Sequence, residues 1–175
     1  MTIASTITST STSTIGLCSR IDSMPGMDID ISRDTVLALV AVAWADGKVD
    51  PAEAQGIRSA AKQLGLESDD LKVVDAALGR EFGMDEVETV RMNRLTRLFT
   101  YATAVWVATL DGAITADEEK MLAVLGDRLG LSEVARVGAK QAALSLRTVA
   151  NLPAGFDLVA LKSRLSAGLS QIGND

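Results

Sequence analysis

The sequence has no histidine, one cysteine and three prolines, and each shortage closes off a class of function. Without histidine there is no imidazole general base, no His-dependent triad and no usual zinc or copper ligand. Cys18 stands alone, so no disulfide can form within the chain, which suits a reducing compartment. Aromatic residues are only 3% of the total, and the apolar 47% is mostly Ala, Leu and Val. With so little proline, that composition favours an all-α domain. No apolar run approaches the roughly 20 residues of a membrane span, and the longest, Leu98 to Leu110, suits a buried helix. A net charge of −6 argues against a nucleic-acid partner, which would need a positive phosphate-facing surface. No Gly-rich phosphate cradle or placed nucleophile is present, so the chain reads as non-enzymatic.

What is present is a repeat. Asp46-Gly47-Lys48-Val49-Asp50-Pro51-Ala52-Glu53 returns as Asp111-Gly112-Ala113-Ile114-Thr115-Ala116-Asp117-Glu118, an offset of 65 residues. Both copies read D-G-x-[VI]-[DT]-x-x-E, and both follow an Ala- and Val-rich run. Leu64-Gly65-Leu66 and Leu129-Gly130-Leu131 recur at the same offset. A shared motif with shared flanks is an internal duplication.

Residues 1–32 form a Ser/Thr-rich tail with too little apolar surface to fold alone, and residues 33–172 form the folded domain. The tail lacks the early positive charge and continuous apolar core of a secretory signal. Helical spacing then predicts a compact bundle of about seven helices built from two pseudo-symmetric halves. The first runs from about Arg33 to Ala45 and is buried all round. The second is capped by Asp50, Pro51 and Glu53 and ends at Gly65. Ser68 caps a third, reaching about Phe82. Asp85 with Glu88 opens a long fourth helix to Leu110. Thr115 with Glu118 opens a fifth, Ser132 caps a sixth reaching about Asn151, and the last runs from about Ala154 to Leu169. Trp44 and Trp106 are expected in the core.

The two acidic turns suit two different roles. Set on an EF-hand loop, Asp46, Gly47, Lys48, Asp50 and Glu53 match its second half, as do Asp111, Gly112, Ala113, Thr115 and Glu118. The first half fails, because Val42, Trp44, Val107 and Thr109 stand where carboxylates belong. Each turn is half a cation site. The same residues also make a generic helix joint, a Gly stop followed by a D/T-x-x-E capping box, with Val49 and Ile114 as apolar plugs. Asp46 and Asp111 would lie at negative helix C-termini, an unfavourable place for an acid that a nearby cation would relieve.

The duplicated D-G-x-[VI]-x-x-x-E followed by L-G-L resembles the tellurite-resistance TerB family and the TerB-like domain of some J-domain co-chaperones. The likeness covers about residues 33–150, with the Ser/Thr tail outside it. It implies an all-helical fold and an acidic face that binds a divalent cation, Ca²⁺ or similar. It also implies bacterial stress-response partners in the cytoplasm, often near the membrane, and a homo-oligomer is left open. Carried over, the metal residues are Asp46, Asp50, Glu53, Asp111 and Glu118, with Thr115 departing from the acid at Asp50. Arg91, Arg94 and Arg97 recur every third residue as a candidate binding stripe on the fourth helix, or a plain solvated face. The alternative function is a metal-independent helical adaptor for other proteins.

Overall fold

A computed structural model describes residues 31–110, 112–146 and 157–171, with side chains of the last helix to residue 168. Residues 1–30 of the Ser/Thr tail, with Cys18, and the expected ends of the sixth and seventh helices at Asn151 and Ala154 fall outside the described residues, while Ile31 packs against the core and Ser32 precedes α1. These are all-α, in seven helices with no strand. They are α1 (Arg33–Ala43), α2 (Pro51–Gln63), α3 (Ser68–Leu78), α4 (Arg94–Val107), α5 (Ala116–Arg128), α6 (Glu133–Ser145) and α7 (Leu158–Gln171).

Two buried helices form the centre. Every residue of α1 from Thr35 to Ala43 is buried, and α4 is buried from Leu95 to Val107 apart from Arg97. Such helices need neighbours all round. Accordingly α1 packs on α2, α3, α4 and α5, while α4 packs on α6, α7, α5 and α2. The threonines that interrupt α4 are satisfied locally. Thr100 and Thr103 donate from Oγ1 to the Thr96 and Phe99 carbonyls at 2.8 Å, the back-bond that lets a hydroxyl sit in a core helix.

The 65-residue offset is kept by two pairs of helices along the chain. α2 and α5 begin and end at corresponding positions 65 residues apart, and so do the starts of α3 and α6. The core-facing positions correspond too, but their sizes differ. α2 buries Gly56, Ile57, Ala60 and Ala61, where α5 has Met121, Leu122, Leu125 and Gly126. α3 buries Val74 and Leu78, where α6 buries Ala139 and Ala143. Small residues permit close approach. A Cβ on Gly56 would collide with Leu110, with Trp106 next at 3.4 Å.

The fourth helix differs most from expectation. It opens at Arg94, where the Asn93 side chain accepts from the Thr96 N–H at 2.9 Å, rather than at Asp85 and Glu88. Met84–Glu86 is a single 3₁₀ turn, and residues 87–93 are loop. Val87 and Met92 are buried as anchors, whereas Val90, within the span expected to be helical, is 81% exposed. The loop is stapled to the end of α5: Arg128 donates to the Val87 carbonyl at 3.3 Å and Thr89 Oγ1 to the Arg128 carbonyl at 3.4 Å. Tertiary anchoring therefore outweighs the helical spacing there.

Smaller corrections follow the same logic. α1 stops at Ala43 and α3 at Leu78, short of Ala45 and Phe82. Glu67, not Ser68, is the residue before α3, and it makes no side-chain cap. Trp106 is in the core, but Trp44 is only half-buried and donates its indole N–H to the Ala77 carbonyl at 3.1 Å, tying the first joint to the end of α3.

Candidate functional site

The first acidic joint starts three residues past α1. Gly47, at φ +85°, closes the turn, donating its N–H to the Trp44 carbonyl at 3.0 Å. Asp46 therefore does not sit on the final helical turn, and the expected clash with the helix dipole is absent. Its Oδ1 accepts the Lys48 N–H at 3.1 Å, and its Oδ2 lies 3.9 Å from the Lys48 ammonium. Asp before Gly is thus used as a side-chain turn former.

Asp50 and Glu53 then make a reciprocal cap on α2. Asp50 Oδ1 accepts the Ala52 N–H at 2.8 Å, and Glu53 Oε2 accepts the Asp50 N–H at 2.9 Å. In the second joint Thr115 Oγ1 accepts the Glu118 N–H at 3.2 Å, and Glu118 Oε2 accepts the Thr115 N–H at 2.7 Å. Both glutamates are buried, at 4% and 5% exposure. A buried carboxylate needs hydrogen bonds to compensate lost water, and the helix N-terminus supplies them. Val49 and Ile114 pack against the core as plugs. Asp111 lies outside the described residues.

The L-G-L triplets close the same helices at their other ends. Leu66 donates to the Ala61 carbonyl and Gly65 to the Lys62 carbonyl, both at 3.1 Å. Leu131 and Gly130 repeat this at 3.0 Å on Gly126 and Asp127. This is the Schellman stop, and it needs the left-handed φ of +79° and +64° that the two glycines adopt. The whole motif, from D-G to L-G-L, is a helix with both of its ends written into the sequence.

As a cation site the joints are poorly formed. Among the described residues no three acidic, Cys or His side chains gather where a metal could be held. Asp46, Asp50, Glu53 and Glu118 each give an oxygen to a backbone N–H. A Ca²⁺ ion wants six to eight oxygens, and the residues as placed do not fit that demand.

The arginine stripe is not formed either. Arg91 is in the loop before α4, and Arg94 is the first residue of α4, both exposed. Arg97 is turned inward and donates to the Met92 carbonyl at 2.8 Å and the Leu129 carbonyl at 3.3 Å, bracing the second Schellman turn. Arg80 is held by Glu86 through paired bonds of 2.6 and 3.0 Å.

Arg94 instead edges a groove between α4, α6 and α7, a feature that sequence spacing did not reveal. Leu98, Ala135, Ala139 and Leu165 make its apolar floor, and its volume is about 150 Å³. Arg164, donating to Ser145 Oγ at 2.6 Å, stands at its other edge. Among the described residues two arginines and no acid line it, in a chain of net charge −6.

No helix of the described residues is long and apolar enough to cross a membrane. No curated protein and no solved structure matches the chain. A family model does match, over residues 2–76. That span takes in the first joint and α2, extends into the Ser/Thr tail, and stops before the second joint. Over residues 2–76 the chain matches the family described as tellurite resistance protein TerB, the family that the duplicated motif resembles.

Proposed function

We propose that this chain is a non-enzymatic TerB-type stress-response protein that works as a helical adaptor, docking acidic amphipathic segments of other proteins in the groove between α4, α6 and α7. The observation that carries this is charge: among the described residues the charged groups lining this apolar groove are Arg94 and Arg164, on a protein that is acidic overall. An amphipathic helix laid in such a groove buries its apolar face and offers carboxylates to both arginines. Its setting is cytoplasmic, peripheral to the membrane where its partners are. The test is fluorescence anisotropy with a labelled Leu/Glu amphipathic peptide. Saturable, salt-sensitive binding that falls at least about tenfold in Arg94→Glu supports docking. Equal binding by wild type and variant removes the groove from consideration.

Cation binding at the acidic joints is the second reading. It is favoured by the family match covering Asp46, Asp50 and Glu53, and opposed by the backbone N–H groups their oxygens already accept. Asp46 is the residue to probe, because Asp46→Asn keeps an oxygen for the Lys48 N–H and leaves the α2 cap intact. Metal-stripped protein would be titrated with Ca²⁺, Mg²⁺, Mn²⁺ and Zn²⁺, following heat and Trp44 fluorescence. Saturable binding lost in Asp46→Asn makes the joint a metal site. No heat up to millimolar metal leaves it a helix joint.

A further inference from the structure

The second repeat carries a polar cleft. It lies between α5 and α6 over α4, holds about 300 Å³, and is lined by Tyr101, Glu119, Leu122, Glu133, Val137 and Lys140, with Arg136 and Ala123 completing the wall. Tyr101 is 6% exposed, and its hydroxyl has no hydrogen-bond partner among the described residues. Yet the only fully enclosed side-chain atom without a partner among those residues is Thr35 Oγ1. The Tyr101 hydroxyl therefore opens into the cleft. A buried phenol whose one polar atom faces a cavity is a donor waiting for an acceptor.

The charges around it are already sorted. Arg136 is fully committed: it donates to the Leu131 carbonyl at 2.9 Å, to the Ala123 carbonyl at 3.4 Å and to Asp127 Oδ1 at 2.5 Å. It braces α5 against α6 and is not available to a ligand. Lys140 meets Glu119 at 3.5 Å in a half-exposed pair, which costs little to open. Glu133, in the first turn of α6, is exposed and has no ion-pair partner among the described residues. What remains at the rim is the Lys140 ammonium, the unpaired Glu133 carboxylate, the Glu119 carboxylate that Lys140 gives up when it turns to a ligand, and the deep phenol, with Leu122 and Val137 as apolar walls.

We propose that this cleft binds a small zwitterion of the amino-acid class. The ligand carboxylate meets Lys140 and the Tyr101 hydroxyl, its ammonium meets Glu133, and a short apolar side chain lies on Leu122 and Val137. Burial keeps the phenol protonated well into alkaline solution, so it donates rather than repels.

The first repeat serves as an internal control. At the positions 65 residues earlier stand Val36, Ala54, Ser68, Leu71 and Asp75 in place of Tyr101, Glu119, Glu133, Arg136 and Lys140. Val36 is fully buried. The scaffold thus folds with a plain apolar residue where Tyr101 stands, and stability alone does not call for the phenol or its ring of charges.

The full-length chain would be titrated with L-leucine, followed by amide chemical shifts, beside isocaproate, which lacks the amine, and isoamylamine, which lacks the carboxylate. Leucine is expected to move the amides of Tyr101, Leu122 and Val137 saturably, and both analogues to bind more weakly. Tyr101→Phe and Lys140→Met should each weaken leucine by about tenfold or more, as loss of a hydrogen bond to a charged group does. The Tyr101→Phe thermal midpoint should hold, since no protein partner is lost. Three outcomes overturn the proposal: no saturable shift through millimolar leucine, unchanged affinity in both variants, or equal affinity for all three probes.

Discussion

The two acidic joints and the helices they launch show what a duplication keeps and what it releases. Both copies keep the reciprocal cap, with the buried glutamate accepting the N-cap N–H at 2.9 Å in one and 2.7 Å in the other. Both keep the Schellman stop. The placement of charge is not kept: Asp50 becomes Thr115, Lys48 becomes Ala113 and Ala52 becomes Asp117. The common denominator of the motif is thus helix-end chemistry, and both copies are acidic, with three acids each placed differently. Side-chain volume is not kept either. It shifts from α3 to α5, so that α2 and α6 carry the small residues and α3 and α5 the large ones.

That exchange of volume can be broken directly. Leu125→Ala removes a fully buried side chain and is expected to cost about 2–5 kcal/mol. Its counterpart Ala60→Leu, 1% exposed, is expected to cost about 1–3 kcal/mol by overpacking. Chemical denaturation of both variants measures the pair. If Ala60→Leu were harmless, α2 would have room to spare and the size difference would be drift.

A smaller effect sharpens the comparison of the joints. Asp50→Ala and Thr115→Ala should each cost about 1 kcal/mol, the usual value of an N-cap side chain. Asp46→Asn should stay within about 0.5 kcal/mol, like most surface changes. Equal losses at Asp50 and Thr115 would confirm that the cap, not the charge, is what the copies share. A markedly larger loss at Asp50 would give the first joint's carboxylate work beyond capping.

The last difference is between Val36 and Tyr101, and pH reads it. Burial raises the Tyr101 pKa above the ordinary 10.0, with Glu133 and Glu119 adding to the rise and Arg136 opposing it. Below pH 10 the phenol is neutral folded or unfolded, so it adds no pH dependence. Above it the unfolded chain loses a proton that the folded chain keeps, so stability falls as pH rises. Thermal melts across that range should show this decline, and Tyr101→Phe should flatten part of it. A decline of the same size in the variant would assign it to other groups.

The legible parts of this protein were those settled within a few residues of chain. Asp50-Pro51 with Glu53, Thr115 with Glu118, Ser132 and the two L-G-L stops all appeared where their spacing put them, and α1 was buried all round as its Ala/Val run required. The failures had distant causes. Val90 continued a helical pattern, but residues 87–93 are held through Val87 and Thr89 to Arg128 across the fold, so the helix waits for Asn93. Arg97 looked like a member of a surface stripe until the Leu129 carbonyl, 3.3 Å away on another element, claimed it. Asp46, Asp50, Glu53 and Glu118 could be read as acids of the two joints, but their backbone partners, visible only in three dimensions, make Asp46 a turn former and the other three caps.

Sequence alone determined the helical class, the duplication and the ends of the duplicated helices, because capping and Schellman bonds join residues at most five apart. Tertiary structure decided the rest: which helices approach at Gly56, which arginine turns inward, and how α4, α5 and α6 leave the Tyr101 hydroxyl facing a cleft. Those outcomes depend on packing between elements dozens of residues apart, where side-chain volume and competing hydrogen bonds are settled only once the helices meet.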